Sequence, residues 1–311
     1  MAHVSAAHQN PVNGKIALPR TRLRVISGCS KLVVGAILMG TILLTNDDGV
    51  MSPGLWALRE ALTEVGDVIV VAPERPRSAT SMSLTFHKPL RISRIVIEGV
   101  QAYVVSGNPA DCVSLGVNRI LRRKSPSVVV AGINPGDNVS VQVVFASGTV
   151  AAAIQAGILG VPAIAFSVVV PEEKAPTREE YSTKYRELLK IAKEVAGWTL
   201  NTGLPKGVDF LNVNFPSEVN ARTPIRFTRL ALRKYDDYVV KRVDLQGRPY
   251  YWQWGTTKPD KEFEVGTDVH AVHGEHAISI TPLSLNMSTT AGREEMSKLG
   301  KKLHKAGFTV H

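Results

Sequence analysis

The chain has 311 residues, of which 44% are hydrophobic and 21% are charged, and this balance excludes a wholly disordered, collagen-like or coiled-coil protein. Its two cysteines, Cys29 and Cys112, exclude a disulfide framework and a cysteine-based zinc site, and they favour a reducing, cytoplasmic setting. No apolar run reaches the roughly 18 residues that a membrane span needs, so no membrane association is expected.

The net charge of +10 is unevenly distributed along the sequence. Residues 1–38 contain five basic residues and no acidic one, and they show no clear periodicity before Val33. We expect them to be a poorly ordered N-terminal extension, with the folded protein starting at Met39. The other basic residues are scattered, so the surplus suits small anionic substrates and does not favour nucleic acid as a partner.

From Thr41 onward, short apolar runs alternate with helical periodicity, a pattern typical of α/β units around a parallel sheet. The sequence predicts strands at 42–44, 68–71, 103–105, 127–130, 163–166 and 208–213. It predicts helices from Ser52–Pro53, from Asn108–Pro109, near Ser147, and from a Thr177–Glu180 capping box through Val195. Residues 84–98 alternate weakly and predict a hairpin or an irregular excursion.

The C-terminal third changes character. Residues 225–280 are predicted to be β structure, with an aromatic run at 250–254 and a turn at Gln246–Gly247, and a basic helix is predicted at 290–306. The expected fold is a Rossmann-like, mostly parallel sheet with helices on both faces, spanning 39–220. Residues 221–311 would add a β-hairpin oligomerisation region and a helix to the same globular unit.

Polar segments follow four of the predicted strands, where ligands bind in open α/β sheets. The first contains adjacent carboxylates, Asp47 and Asp48, on a loop that ends in Gly49. Oxygen ligands of this kind suit Mg²⁺, Mn²⁺ or Ca²⁺, and Mg²⁺ takes one or two carboxylates together with water and phosphate. A serine hydroxyl and an asparagine carbonyl from neighbouring loops would complete the shell. A plain turn is the alternative explanation for Asp-Asp-Gly.

Two predicted helix starts are candidates for phosphate binding, because helix N-termini present free N–H groups and a partial positive charge. The candidate contacts are Asn46, Gly107, Asn108, Ser147, Gly148 and Thr149. Arg75 and Arg77 are either phosphate clamps or solvated loop charges. His87 is either a cleft acid or base, or a structural residue.

His270, His273 and His276 are spaced by three, but their flanking sequence is predicted to be β, which argues against a helical metal face. The sequence has no Walker A motif, no Gly-x-Gly-x-x-Gly after a strand, no His-Glu-x-x-His and no nucleophile elbow.

Taken together, these blocks resemble the survival protein E (SurE) nucleotidases over about residues 39–285. The resemblance is carried by segments at 42–49, 71–78, 106–112, 132–138, 147–152, 160–165 and 279–283. It implies one divalent metal ion per subunit, Mg²⁺ or Mn²⁺, held by Asp47, Asp48, Ser78 and Asn134, and assembly as a homodimer or homotetramer. Asp47, Asp48 and Asn134 would be the catalytic residues. The sequence departs from the family pattern at Ala79, Ala131, Ala146 and Gln155.

The resemblance implies hydrolysis of nucleoside 5′-monophosphates, and of 3′-monophosphates, to nucleoside and phosphate. Two other interpretations stay open at this point. One is a nucleotide- or RNA-binding protein with little turnover. The other is a broad acid phosphatase or exopolyphosphatase, which would share the metal site and differ only in its pocket.

Overall fold

The strands and helices come from a computed structural model that describes residues 40–171, 175–289 and 292–309. The strands are β1 (Thr41–Thr45), β2 (Asp67–Pro73), β3 (Ile92–Ile97), β4 (Val100–Val105), β5 (Val128–Pro135), β6 (Ala163–Val168), β7 (Phe210–Phe215), β8 (Ile225–Phe227), β9 (Tyr235–Val243), β10 (Pro249–Thr257) and β11 (Ile278–Leu283). The helices are α1 (Pro53–Leu62), α2 (Pro109–Leu115), α3 (Ser140–Val144), α4 (Gly148–Ile158), α5 (Arg178–Ser182), α6 (Arg186–Thr202) and α7 (Arg293–Lys305).

The main sheet has the strand order β3-β4-β2-β1-β5-β6-β7-β11-β8. Strands β4, β2, β1, β5, β6 and β7 run parallel, and β3 and β11 pair antiparallel with their neighbours β4 and β7. The chain winds outward from β1 in one direction through β2 and β4, and then in the other from β5. The point at which the winding reverses therefore lies between the carboxyl ends of β1 and β5.

Strand β1 shows why this sheet is buried on both faces. Ile42 and Leu44 belong to the apolar core beneath α1 and α6, whereas Leu43 belongs to the opposite core beneath α2 and α4. All three side chains have no exposed surface, so the run of apolar residues reflects two packed faces rather than one. The predicted α/β fold with helices on both faces is confirmed.

Three predictions differ from the structure. The helix predicted from Thr177 through Val195 is two helices, α5 and α6. The capping box between Thr177 and Glu180 is present, but the hydroxyls of Ser182 and Thr183 both donate to the Glu179 carbonyl oxygen and compete with the helical backbone pattern. Residues 260–274 are not β: they contain a 3₁₀ turn, Asp260–Glu262, and a π-helical turn, His270–Gly274. Helix α3 was not predicted.

The C-terminal hairpin is formed by β9 and β10, which pair with each other and not with the main sheet. Its turn is at 244–248, where the Asp244 carboxylate accepts bonds from the backbone of Gln246 and Arg248. The predicted turn is confirmed. Helix α7 lies within the predicted C-terminal helix, whereas the predicted start of that helix, Thr290, and the extension at 1–38 lie outside the described residues. Among the helices that the structure describes, none is long and apolar enough to cross a membrane.

Gly132, in β5, is the position where the fold depends most directly on a missing side chain. Its φ is 132°, and a Cβ built there would lie 2.4 Å from the Phe166 carbonyl oxygen of the neighbouring strand. Strand β5 bulges between Ala131 and Asn134 at the same place.

We expect Gly132→Ala to lower the free energy of unfolding by at least about 2 kcal/mol, because both the φ angle and the contact with backbone oppose a methyl group. Chemical denaturation measures this. Gly197→Ala in α6 is the matched control, since a Cβ there meets Val65 at an ordinary 3.4 Å. Equal stability of the two variants would contradict this account of β5.

Candidate active site

The first loop, which follows β1, is closed by its own asparagine. Asn46 is fully buried, its Nδ2 donates to the Gly49 carbonyl oxygen at 3.0 Å, and its Oδ1 accepts from the Gly49 N–H at 3.2 Å. Gly49 has a φ of 94°, and a Cβ there would meet the Arg75 backbone. The Asn46 side chain thus holds the turn that carries the two carboxylates. Its expected contact with substrate stays a prediction.

Asp47 is held by the start of helix α4. Its Oδ1 accepts a hydrogen bond from the Thr149 hydroxyl, and the backbone of Thr149 also hydrogen-bonds to this carboxylate. A Cβ built on Gly148 would lie 2.9 Å from Asp47 Oδ2, so only glycine lets the helix start approach so closely. Burial raises the pKa of Asp47, although these hydrogen bonds oppose the shift. Thr149 therefore orients a carboxylate, where the sequence had suggested a phosphate contact.

Asp48 lies beside it with one oxygen unengaged. Its Oδ2 is buried and has no hydrogen-bond partner within the described residues. Burial, followed by the negative charge of Asp47, raises the pKa of Asp48 to about 7. The Tyr181 side chain is buried nearby, and its pKa is also raised, by burial and then by the charge of Asp48. A buried carboxylate oxygen of this kind requires a proton or a cation.

Asn134 comes from the end of β5. Its Nδ2 donates to the Gly136 carbonyl oxygen at 2.5 Å, and this bond fixes the orientation of the amide and turns Oδ1 away from that contact. The Asn134 loop lies against α1, because a Cβ on Gly54 would be only 2.6 Å from the Ile133 carbonyl oxygen. Asn134 thus lies at the end of β5, the parallel neighbour of β1, with its amide oriented by the bond to Gly136.

The second loop is joined to the first through Arg77. The Arg77 N–H donates to the Asp47 carbonyl oxygen at 2.7 Å, and the Arg77 carbonyl oxygen would be 3.2 Å from a Cβ on Gly148. Ser78 follows directly in the sequence and is exposed. Arg75 is exposed as well.

The third loop is organised by Asp111, which the sequence analysis did not single out. Its carboxylate, 2% exposed, accepts from the Asn108 N–H at 2.9 Å and from the N–H and hydroxyl of Thr85. A Cβ on Gly107 would lie 2.5 Å from Asp111 Oδ2. The guanidinium of Arg77 donates to the Ser106 carbonyl oxygen at 3.3 Å and so links the second and third loops.

These residues fit a divalent cation. Two adjacent carboxylates are present, one oriented by Thr149 and one with a buried unpartnered oxygen, and Asn134 supplies an oriented amide. Such an all-oxygen set with few protein ligands suits a hard cation that keeps water and phosphate in its shell. The cation would be held by Asp47, Asp48, Asn134 and the hydroxyl of Ser78.

Within the described residues, no histidine makes a hydrogen bond or ion pair with Asp47, Asp48 or Asn134. His87 is exposed. Nε2 of His273 lies 2.8 Å from Asp137, and Nδ1 of His270 lies 3.4 Å from Glu275. No group of three His, Cys, Asp or Glu side chains within 40–171, 175–289 and 292–309 is arranged to hold a metal.

Residues 42–237 match the family model described as Survival protein SurE. The chain belongs to the SurE family. It is 46% identical over 262 residues to the 5′-nucleotidase SurE of Thermofilum pendens, covering 84% of this chain and 97% of that protein. The corresponding protein of Methanocella arvoryzae is 43% identical, with 83% and 97% covered. The crystal structure of the SurE protein from Aquifex aeolicus superposes with a TM-score of 0.70 at 38% identity, and the match covers 83% of this chain and 99% of that one.

Ala79, one of the departures from the pattern that the resemblance implies, has a φ of 53°. Glycine adopts this conformation more easily than alanine does.

We expect Thr149→Val to weaken Mn²⁺ binding by about 10-fold, because Asp47 loses the hydroxyl that orients it while the side-chain volume is preserved. Isothermal titration calorimetry with MnCl₂ measures the dissociation constant. Thr149→Ser restores the hydroxyl and should recover most of the affinity. An unchanged dissociation constant in Thr149→Val would show that this hydrogen bond does not prepare the site.

Proposed function

We propose that the chain is a divalent-metal-dependent phosphomonoesterase that hydrolyses nucleoside 5′-monophosphates, and also 3′-monophosphates, to nucleoside and phosphate. The observation that carries the proposal is the pair Asp47 and Asp48 directly after β1, with Asn134 at the end of the parallel neighbouring strand β5. The names of the relatives, 5′-nucleotidases, support the substrate class. One Mg²⁺ or Mn²⁺ ion per subunit is proposed.

A divalent cation held there would supply Lewis-acid neutralisation of charge on the phosphoryl oxygens. The residues of the chain orient the carboxylates that would hold this cation. Thr149 and Gly148 fix the Asp47 carboxylate, and Asn46 holds the turn that places Asp48 next to it. We propose that Gly107, Asn108, Ser147 and Gly148 line the phosphate side, where N–H groups oriented before the reaction stabilise developing negative charge.

The reaction class is tested by phosphate release from protein stripped with EDTA and resupplied with MnCl₂. We expect Asp47→Asn and Asp48→Asn each to lower kcat/KM at least about 100-fold, since loss of even an outer-shell partner of a metal site costs about 10–100-fold. Asp260→Asn, a change at an exposed carboxylate, is the control.

The substrate panel contains 5′- and 3′-nucleoside monophosphates, ribose 5-phosphate and inorganic polyphosphate. Preference for the nucleotides supports the nucleotidase assignment, whereas equal turnover of all would indicate a broad phosphatase. Near-wild-type turnover by either variant at saturating Mn²⁺ would refute the site assignment.

We also propose that residues 221–311 belong to the same globular unit as the core at 39–220 and serve assembly into a homodimer or homotetramer. One face of the β9–β10 hairpin supports this, because its paired positions carry Tyr238 with Trp254, Val240 with Trp252, and Arg242 with Tyr250. Both tryptophans are 58% exposed. Exposed aromatic patches of this kind are enriched at protein interfaces.

The free, buried thiol of Cys112 suits the proposed reducing, cytoplasmic setting.

We expect the double variant Trp252→Gln/Trp254→Gln to shift the mass in multi-angle light scattering toward the monomer, because it removes the apolar contact area of this face. Tyr251→Gln, on the opposite face of the same strand, should leave the mass unchanged. A wild-type protein that is monomeric at micromolar concentration would contradict the assembly proposal.

A further inference from the structure

A buried ionic cluster is centred on Asp137, which is three residues after Asn134 in the sequence. Lys234 Nζ is 2.7 and 2.8 Å from the two carboxylate oxygens of Asp137, and His273 Nε2 is 2.8 Å from Asp137 Oδ2. The side chains of Lys234 and Asp137 are only 5% and 9% exposed. Burying an ion pair costs desolvation free energy. The presence of this pair is therefore weak evidence that it stabilises the fold, and another role has to be considered.

Both members of the pair are charged. Burial raises the pKa of Asp137, but the hydrogen bond from His273 and the charge of Lys234 outweigh it and lower the pKa to about 2. Burial lowers the pKa of Lys234, and the charge of Asp137 more than compensates. The Asp137–Lys234 ion pair therefore keeps both of its charges at neutral pH, and the hydrogen bond from His273 joins a third segment of the chain to it.

The segment that carries Asp137 runs directly from the metal site. Asn134 bonds to the Gly136 carbonyl oxygen, the Gly136 N–H donates to the Val168 carbonyl oxygen at 2.8 Å, and the Asn138 N–H donates to Asn214 Oδ1 at 2.7 Å. We call residues 134–142 the strap. Its first half is held by the ends of β6 and β7.

The second half of the strap is held by the root of the hairpin, defined here as residues 231–235. The Val141 N–H donates to the Ala231 carbonyl oxygen at 2.8 Å, and Gln142 Oε1 accepts from the N–H groups of Lys234 and Tyr235 at 3.2 and 3.0 Å. Lys234 therefore meets the strap twice, through its backbone at Gln142 and through its ammonium group at Asp137.

We propose that Asp137, Lys234 and His273 are positioning residues that couple the root of the hairpin to the metal-binding oxygen of Asn134. The proposal rests on the function proposed above, in which Asn134 is a metal ligand. Asp137 contacts neither substrate nor metal, and it acts by fixing the strap on which Asn134 lies. Because coupling free energies are reciprocal, metal binding at Asn134 must tighten the root of the hairpin by the same factor by which the root tightens metal binding.

The competing explanation is that the cluster only stabilises the fold. The two explanations separate in a variant that removes both charges. A single change leaves an uncompensated buried charge and lowers stability whatever the role of the cluster, whereas removal of both charges together is often close to neutral for stability. If the cluster positions Asn134, the ionic contact itself is required. Mn²⁺ affinity should then stay weakened in the variant that lacks both charges.

The experiment uses the full chain, stripped with EDTA, and titrates MnCl₂ by calorimetry alongside a thermal melt. Lys234→Met and Asp137→Asn should each lower the melting temperature and weaken Mn²⁺ binding by about 10-fold, the range seen for outer-shell partners of metal sites. The double variant Asp137→Asn/Lys234→Met should regain most of the melting temperature and keep the weakened Mn²⁺ binding. Recovery of both quantities together would overturn the proposal.

Two control variants are needed. One distinguishes a loss of stability from a loss of coupling, and the other tests whether Asn134 is a metal ligand. Val272→Ala trims the small apolar cluster beside His273, so it should lower the melting temperature and leave Mn²⁺ affinity unchanged. Asn134→Ala tests the ligand assignment itself. If Asn134→Ala binds Mn²⁺ normally, the proposed function fails, whereas if Asn134→Ala weakens binding and the double variant does not, only the coupling fails.

Hydrogen exchange gives a readout independent of the reaction. Addition of Mn²⁺ should slow exchange of the backbone amides of Lys234 and Tyr235 in the wild type, and it should not do so in the double variant. Equal slowing in both proteins, or in neither, would contradict reciprocal coupling between the hairpin root and the metal site.

Discussion

Two carboxylates, adjacent in sequence and withdrawn from water, are the constraint on which the rest of this structure depends. Neighbouring negative charges in a buried setting are unfavourable, and both burial and mutual repulsion raise the pKa of Asp48. The surrounding chain is built to hold them in place all the same. Asn46 closes the turn, Thr149 bonds to Asp47, and glycine at 148 lets a helix start approach the carboxylate. A site prepared in this way is suited to a cation and contributes little to stability without one.

The topology supplies the other half of the arrangement. Because β1 and β5 are parallel neighbours at the point where the sheet reverses its winding, the loops that follow them open on the same crevice. Arg77 joins the second loop to the first and third by hydrogen bonds. The Asn134 loop is joined to the hairpin root by the strap. The proposed catalytic groups lie on the loop after β1 and at the end of β5, and hydrogen bonds fix each of these segments to a neighbouring one.

Much of the fold and part of the candidate site could be predicted from the sequence. Apolar runs such as 42–44 are typical of strands buried on both faces, and turn and cap residues marked the starts of α1, α2 and α4. Asp47 and Asp48 were candidates because residue type and position at a strand end are local features. The resemblance to the SurE family added Asn134 and Ser78, and the neighbour of Ser78, Arg77, bonds to Asp47 in the structure.

What the sequence could not reveal depends on contacts between distant segments. Lys234 and Asp137 are 97 residues apart, and no local pattern marks either of them as buried. Asp111 lies in the first turn of α2, and only the fold shows that its carboxylate also accepts hydrogen bonds from Thr85. Asn46 and Thr149 were predicted to be substrate contacts because one follows β1 and the other lies at a helix start. Only the fold shows their side-chain bonds to Gly49 and to Asp47. The division of residues 177–202 into α5 and α6 arises from side-chain competition that helical periodicity does not record.

The most direct test of this account is a crystal grown with MnCl₂ and measured at a wavelength where manganese scatters anomalously. The account predicts an anomalous peak about 2.0–2.4 Å from a carboxylate oxygen of Asp47, from Asp48 Oδ2 and from Asn134 Oδ1, with Ser78 Oγ on its open side. A peak elsewhere on the protein, or density at this position that Asn134 does not reach, would contradict it.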